Sequence, residues 1–338
     1  FSKGMEVLSN VTREQLELAK KLFAEHICDV ELLDTPLNLH LIIRAEAGKD
    51  CAEVEIRNLH DNITSIKKNG KQIYSAKEND GLYYGVLTDR SILSFDRIYD
   101  FAVNTPIERL KEVFTPQIED NIRIAEEGLT GKYGVGIGTS IIANDKSLAA
   151  KIKAYAAAAS EARMSGCTLP VITNSGSGNQ GIAAAIPVIV YAREMNLPSE
   201  KLYRALALSN LLTIYQKTFI GRLSAFCGAV SAAAASGGAI TYLAGGTPDQ
   251  IKMTLVNALA NVSGIVCDGA KASCGAKISA GLDAAITGHY LALDNKFYQP
   301  HTGILQSDID ETISAIGRMA MEGMRDTDRV ILKIMLGE

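Results

Sequence analysis

Between Ala225 and Gly245 the chain carries no charged residue. That run is long enough to cross a bilayer. It is built from Ala, Gly and Ser rather than Leu, Ile and Phe, so its transfer free energy into lipid is weak. Small side chains let helix backbones approach closely, which suits a helix packed inside a protein. The run therefore predicts a core helix and a helical surrounding for it. Alanine-rich stretches on both sides agree, because alanine has the highest helix propensity. Helices are expected near 147–164, 180–195, 199–217, 222–243, 248–262, 268–293, 308–323 and 327–336. Thr105-Pro106-Ile107-Glu108 opens another, with a capping box and a proline at the first helical position. Gly128–Thr139 is a glycine-rich break between them.

Upstream of Ile92 the pattern is different. Thr12 and Gln15 form a capping box ahead of Leu16, Ala19, Leu22 and Phe23, which share one face of a helix from Arg13 to Glu25. Leu39–Ala47 and Cys51–Arg57 alternate apolar and polar residues, as strands with one wet face do. Ile63–Lys68 and Gln72–Ser75 flank Asn69-Gly70, the preferred pair for a type I′ hairpin turn. Residues 77–91 read as a linker. The expected fold class is α+β: a small antiparallel α/β domain over residues 1–91, then a large all-helical catalytic domain over 92–338.

A chain of 338 residues, 47% hydrophobic and 21% charged, is globular with room for two domains. A net charge of −4 without a basic run argues against nucleic acid as a partner. Its six cysteines lack the short paired spacings of a disulfide scaffold, which fits a reducing, cytoplasmic setting with thiols free to act as ligands. No membrane span and no signal peptide are expected, and Phe1 reads as a trimmed start. The five histidines form no HExxH pair and no G-x-S-x-G elbow is present, so zinc hydrolysis and serine hydrolysis are disfavoured.

Two stretches carry chemistry. Ile265–Lys277 reads I-V-C-D-G-A-K-A-S-C-G-A-K and places Cys267 and Cys274 beside Gly, Asp and Lys rather than bulky apolar residues. Cys227 stands upstream in R-L-S-A-F-C-G. Three thiolates can hold a 4Fe–4S cluster and leave one iron open as a Lewis acid. Buried cysteine is equally an ordinary small hydrophobe, and the spacing matches neither a ferredoxin nor a zinc finger. The second stretch, Thr173–Gly181, reads T-N-S-G-S-G-N-Q-G and runs into an apolar helix. Its glycines permit positive φ and close backbone approach. The unpaired N–H groups of a helix start make an anion cradle, with Asn174, Ser175, Gly176, Ser177, Gly178, Asn179 and Gln180 as substrate-binding candidates. A capped flexible loop is the plain alternative, and a cradle for the phosphate of pyridoxal phosphate is a rival. His60, where a strand gives way to a turn, reads by default as a solvent-facing or capping residue.

The strings A-S-E-A-R-M-S-G-C-T-L-P-V-I-T-N-S-G-S-G-N-Q-G-I, R-L-S-A-F-C-G-A and G-I-V-C-D-G-A-K-A-S-C-G-A-K resemble the L-cysteine desulfidase family, an iron–sulfur relative of the bacterial L-serine dehydratase alpha chain. The resemblance implies a helical catalytic domain joined to a smaller α/β domain similar to substrate-binding modules. It implies a 4Fe–4S cluster on Cys227, Cys267 and Cys274. His60 falls in a His-x-Asn-Ile string of that family and so becomes a candidate catalytic residue, and Lys271 is the second candidate for the base. The family's Gly-Cys-Thr-Glu-Pro string is absent. Gly166-Cys167-Thr168-Leu169-Pro170 imitates it, Cys167 reads as a packed structural residue, and the true motif is expected before Phe1. The implied reaction is elimination of sulfide from L-cysteine. L-serine dehydration and a cluster-free small-molecule-binding protein are the alternatives. The expected partners are a small amino-acid substrate and a second copy of the chain in a homo-oligomer, a dimer.

Overall fold

The computed structural model describes residues 11–37, 39–58, 62–76, 89–221 and 223–338. These fall into two compact units, one of the described residues up to 76 with 329–338 and one of those from 89 to 328.

In the first unit α1 (Arg13–Ala24) starts at the Thr12–Gln15 capping box, with both reciprocal hydrogen bonds formed. Strands β1 (His40–Ala47), β2 (Asp50–Arg57), β3 (Ile63–Lys68) and β4 (Lys71–Ser75) make an antiparallel meander in chain order. Asn69 and Gly70 take φ of 50° and 76°, the conformation a type I′ turn demands of both central residues. Helix α1 buries none of its residues, and Phe23 is 73% exposed. The amphipathic pattern thus formed a helix, but not the covering layer that its apolar side called for.

The second unit is helical throughout: α2 (Phe95–Asn104), α3 (Ile107–Gly128), α4 (Ile137–Asn144), α5 (Leu148–Met164), α6 (Gly178–Glu194), α7 (Ser199–Ile220), α8 (Gly228–Leu243), α9 (Pro248–Val262), α10 (Cys274–Leu293) and α11 (Ile309–Arg318), then a π-helical turn Met319–Gly323. A last helix, α12 (Arg325–Leu336), passes from this unit into the first. The sequence pattern did not announce α2 or α4. Pro106 stands outside α3 as its N-cap, so the expected capping box at Thr105 does not form.

Helices α5, α6, α8 and α10 close a ring, with α5 packed on α6 and α10, and α8 packed on the same two. The uncharged run forms α8, buried along nearly its whole length. Close approach needs small residues here: a Cβ on Gly237 of α8 would stand 2.8 Å from the Cβ of Ala285 in α10, and one on Gly275 would stand 2.8 Å from the Ala157 carbonyl of α5. At this spacing the neighbours are backbone and methyl groups that cannot move aside, which is why bulkier apolar residues are missing from the contacts.

Candidate functional site

The four helices of the ring meet at one end. Helix α5 runs against the other three, since Ser160 near its end bonds Asn179 at the start of α6 (3.1 Å) while Lys151 near its start reaches Glu194 at the other end of α6. The starts of α6, α8 and α10 therefore gather around the end of α5. Gln180 of α6 lies against Gly228, the first residue of α8. Phe226 and Val266 form an antiparallel bridge that ties the approach to α8 to the approach to α10. Lys277 in the first turns of α10 donates to the Val266 carbonyl (2.9 Å) and pairs with Asp268. Three sets of unpaired helical N–H groups thus converge, and their dipoles add positive potential at this end.

The bridge explains why α8 and α10 start later than the periodicity of 222–243 and 268–293 suggests. Residues 223–227 run toward the bridge instead of coiling, and Cys227 becomes the N-cap of α8. Residues 268–273 make a turn, and Cys274 is the first residue of α10. Cys267 adjoins the bridge on the facing segment, its N–H donating to the Ala225 carbonyl. Cys227 is buried and Cys267 and Cys274 are half-buried. Burial pushes the Cys227 thiol up and Cys267 adds to that, while the N–H groups of Val230 and Ala229 and the Lys277 ammonium oppose it.

Two cations that sequence reasoning missed face these thiols. Lys217 of α7 is buried, and burial pulls its ammonium down against the pull of Cys267 and Cys227 in the other direction. Arg163, in the last turn of α5, is lowered by burial, with Cys274 opposing. Its guanidinium lies against Gly178 and reaches Asn179 Oδ1 at 3.5 Å. A cation in a largely uncharged helical stretch was the available signal for Lys217, in I-Y-Q-K-T-F-I, and a charge pair after an alanine run was the signal for Arg163, in A-A-A-A-S-E-A-R.

Thr173–Gly181 is a built turn. Asn174 and Ser177 exchange backbone hydrogen bonds, and Ser175 and Gly176 between them take φ of 50° and 80°. The positive φ values therefore sit at Ser175 and Gly176, and Gly178 is already helical. Ser177 caps α6 by accepting from the Gln180 N–H. Asn174 does not present its amide to a ligand: its Nδ2 donates to the Asn210 carbonyl and Oδ1, and Asn210 pairs in turn with Gln117. Asn121 of α3 ties down both flanks of the turn through Ile172 and the Gly181 carbonyl. These buried amides position the turn, and Asn179 and Gln180 are the side chains left at its mouth.

Lys271 is exposed and held by Asp268, whose carboxyl the bonds from Lys271 and Lys277 lower to about 2. Lys271 shares the loop of Cys267 and Cys274 by sequence alone. His60 lies outside the described residues. Its neighbour Asn62 is buried and donates to the Arg57 carbonyl. Cys167 is half-buried against the helical core.

Among the described residues, no three His, Cys, Asp or Glu side chains stand as ligands of a single metal ion. Thiolates on three different irons of a cluster stand farther apart than ligands sharing one ion, so this bears on single-ion sites. The donor set fits a cluster in its chemistry: three thiols at one helix end, with Lys217, Lys277 and three helix starts to offset negative charge.

The sequence pattern of the serine dehydratase alpha chain family matches residues 2–333. A UPF0597 protein of Treponema denticola is 46% identical, across 99% of this chain and 79% of its own length. Those of Lachnoclostridium phytofermentans and Porphyromonas gingivalis are 46% and 36% identical, across 99% of this chain and 80% and 79% of their own lengths. No helix among the described residues is long and apolar enough to cross a membrane.

Proposed function

Because the chain belongs to the serine dehydratase alpha chain family, a membership that supports a lyase-type enzyme of amino-acid catabolism, we propose that it eliminates sulfide from L-cysteine in the cytoplasm. The products are hydrogen sulfide and aminoacrylate, which hydrolyses to pyruvate and ammonia. The observation that carries this reading is the meeting of the glycine turn and the three cysteines at one electropositive helix end. Lys217 and Lys277 beside the thiols are what a dehydratase-like site needs to tolerate several negative charges in a half-buried space.

Cys227, Cys267 and Cys274 would hold a 4Fe–4S cluster, which supplies a Lewis-acidic iron to take the negative charge of the leaving sulfur. The start of α6 receives the substrate carboxylate, with N–H groups and Asn179 as donors. The Ser175–Gly176 turn, fixed by Asn174, Asn210 and Asn121, sets where those donors point and so costs nothing to reorganise during reaction. The Cα proton leaves to a base as the Cβ–S bond breaks, and the C–H electron pair becomes the new C=C bond. We propose His60 or Lys271 for that proton, Lys271 only when it is neutral and released from its ion pair with Asp268. In this reading residues 92–338 form the catalytic domain and residues 1–91 a substrate-binding-like domain, in a dimer.

Iron and acid-labile sulfide per chain, measured after anaerobic purification, together with pyruvate formed from L-cysteine and from L-serine, test the proposal. A brown protein that prefers cysteine supports it. Preference for serine moves the assignment to dehydration. A yellow protein supports pyridoxal phosphate, and a colourless one that forms no pyruvate overturns the lyase reading in favour of a binding protein.

A further inference from the structure

The loop that carries Cys267 and Cys274 is closed on itself by one carboxylate. Asp268, next to Cys267, accepts from two ammonium groups, Lys271 on one oxygen and Lys277 on the other. Lys271 also donates to the Asp268 carbonyl (2.7 Å), and the Cys274 N–H donates to the Lys271 carbonyl (2.9 Å), so two successive turns join the cysteines. Lys277, one turn into α10, reaches back to the Val266 carbonyl (2.9 Å) as well as to Asp268. Its ammonium thus grips the chain on both sides of Cys267.

Backbone bonds fix the facing segment. The Cys227 N–H donates to the Ile265 carbonyl (3.1 Å) and the Cys267 N–H to the Ala225 carbonyl, so each cysteine lies one residue from the Phe226–Val266 bridge, on opposite strands. Burial lowers the Lys277 ammonium, but Asp268, then Cys227 and Cys267, outweigh it. One ammonium therefore ties a carbonyl to a carboxylate while standing close enough to feel two thiols. Asp268 itself is bonded to the lysines, so its hold on Cys267 and Cys274 passes through them.

We infer that Asp268 is a positioning residue of the cysteine loop. By drawing Lys271 and Lys277 onto one carboxylate, it sets the placement of Cys267 and Cys274, and the direction of the Lys277 ammonium, before a cluster binds. This rests on the reading of Cys227, Cys267 and Cys274 as cluster ligands, and adds the residue that orders two of them. A loop ordered beforehand loses less conformational freedom when it takes up iron, and so holds that iron longer. Groups that orient metal ligands are commonly worth about 10- to 100-fold in metal affinity. Asp268 is 35% exposed, and solvent screening of its ion pairs puts the effect at the lower end.

The test takes two readouts from the whole 338-residue chain, handled without air. The first is the rate at which the chain, rebuilt with iron and sulfide, loses iron to a ferrous chelator. The second is amide hydrogen exchange over residues 265–277 in the metal-free chain, which reads the loop independently of any cluster. Asp268→Ala should lose iron about tenfold faster than wild type and exchange faster in the loop, with melting temperature unchanged. Asp268→Asn should fall between the two, and Asp268→Glu should recover part of the loss. Lys277→Met should lose iron at least as fast as Asp268→Ala. The double variant should be no worse than Lys277→Met alone, because the pair acts as a unit. Asp283→Asn breaks the ion pair with Lys153 on the same helix and should match wild type in both readouts.

Iron loss within about twofold of wild type in both Asp268→Ala and Asp268→Asn overturns the proposal. So does unchanged loop exchange in metal-free Asp268→Ala, or an equal acceleration in Asp283→Asn, which would mark a general effect of charge. A lower melting temperature with iron loss unchanged would make Asp268 a structural ion pair and overturn it as well. A wild type that takes up no iron, with loop exchange that rises in Asp268→Ala, sinks the cluster reading alone and supports the ordering of the loop.

Discussion

Two helices of the second unit start at glycine-rich segments, and the last turns of one helix, α5, serve both. At the start of α4, the buried Glu161 carboxylate of α5 accepts from the Val135, Gly136 and Ile137 N–H groups at 2.6, 3.1 and 2.8 Å. Two residues on, Arg163 reaches the start of α6, and no carboxylate among the described residues forms a salt bridge with it. The first helix start is filled by the chain's own anion and the second is offered a cation. A glycine-rich helix start is an anion cradle in both places, so the motif alone does not distinguish a structural joint from a binding site. What distinguishes them is whether the fold already supplies the anion.

The comparison is broken or sharpened most strongly at the thiols. Replacing Cys227, Cys267 or Cys274 with Ser should abolish iron retention and activity, while Cys28→Ser and Cys51→Ser should keep both. Equal iron in all five variants would mean that the end reached by Arg163 serves no cluster. Next comes the filled cradle. Glu161→Ala takes the acceptor from three part-buried N–H groups and should cost about 1–3 kcal/mol of stability, seen as a lower midpoint in urea. A midpoint within error of wild type would show that α4 needs no internal anion.

At the open cradle the effect should appear in catalysis instead. Asn179→Ala should lower kcat/KM for L-cysteine by about 10- to 150-fold, equivalent to about 1.5–3 kcal/mol for one charge-assisted hydrogen bond, with little change in melting temperature. Cysteamine, which lacks the carboxylate, should be a poor substrate for wild type and lose little more in the variant. Equal penalties for both would leave the turn as a structural element only. The smallest effect is expected for Gln180→Leu, which removes a buried unpartnered acceptor and should change the stability of the ligand-free chain by less than about 1 kcal/mol, or raise it. A loss as large as that of Glu161→Ala would reveal a structural role and erase the contrast between the two helix starts.

Much of this was legible from local chemistry. The I′ turn at Asn69-Gly70, the Thr12 capping box and the order of strands then helices depend on neighbours in the chain. The alanine-rich run of α8 announced its own burial. By contrast α1 shows the limit of periodicity, because an apolar stripe predicts a helix but not which surface covers it. Cys227, Cys267 and Cys274 were visible as an unusual set, whereas the bridge between Phe226 and Val266 that delays both helix starts and brings the segments together was not. Glu161 and Arg163 stood out only as charges in an alanine stretch, with nothing to say which anion or cation each would meet.

By itself the sequence determined most element types, the Thr12 cap, the Asn69-Gly70 turn and the small-residue packing, since each depends on interactions within a few residues or on side-chain size. Only the tertiary structure decided which groups remain unpaired. Pairing is a property of the whole fold: Asn174 satisfied its amide on α7, Glu161 filled the cradle of α4, and Gln180 Oε1 was left without a donor among the described residues.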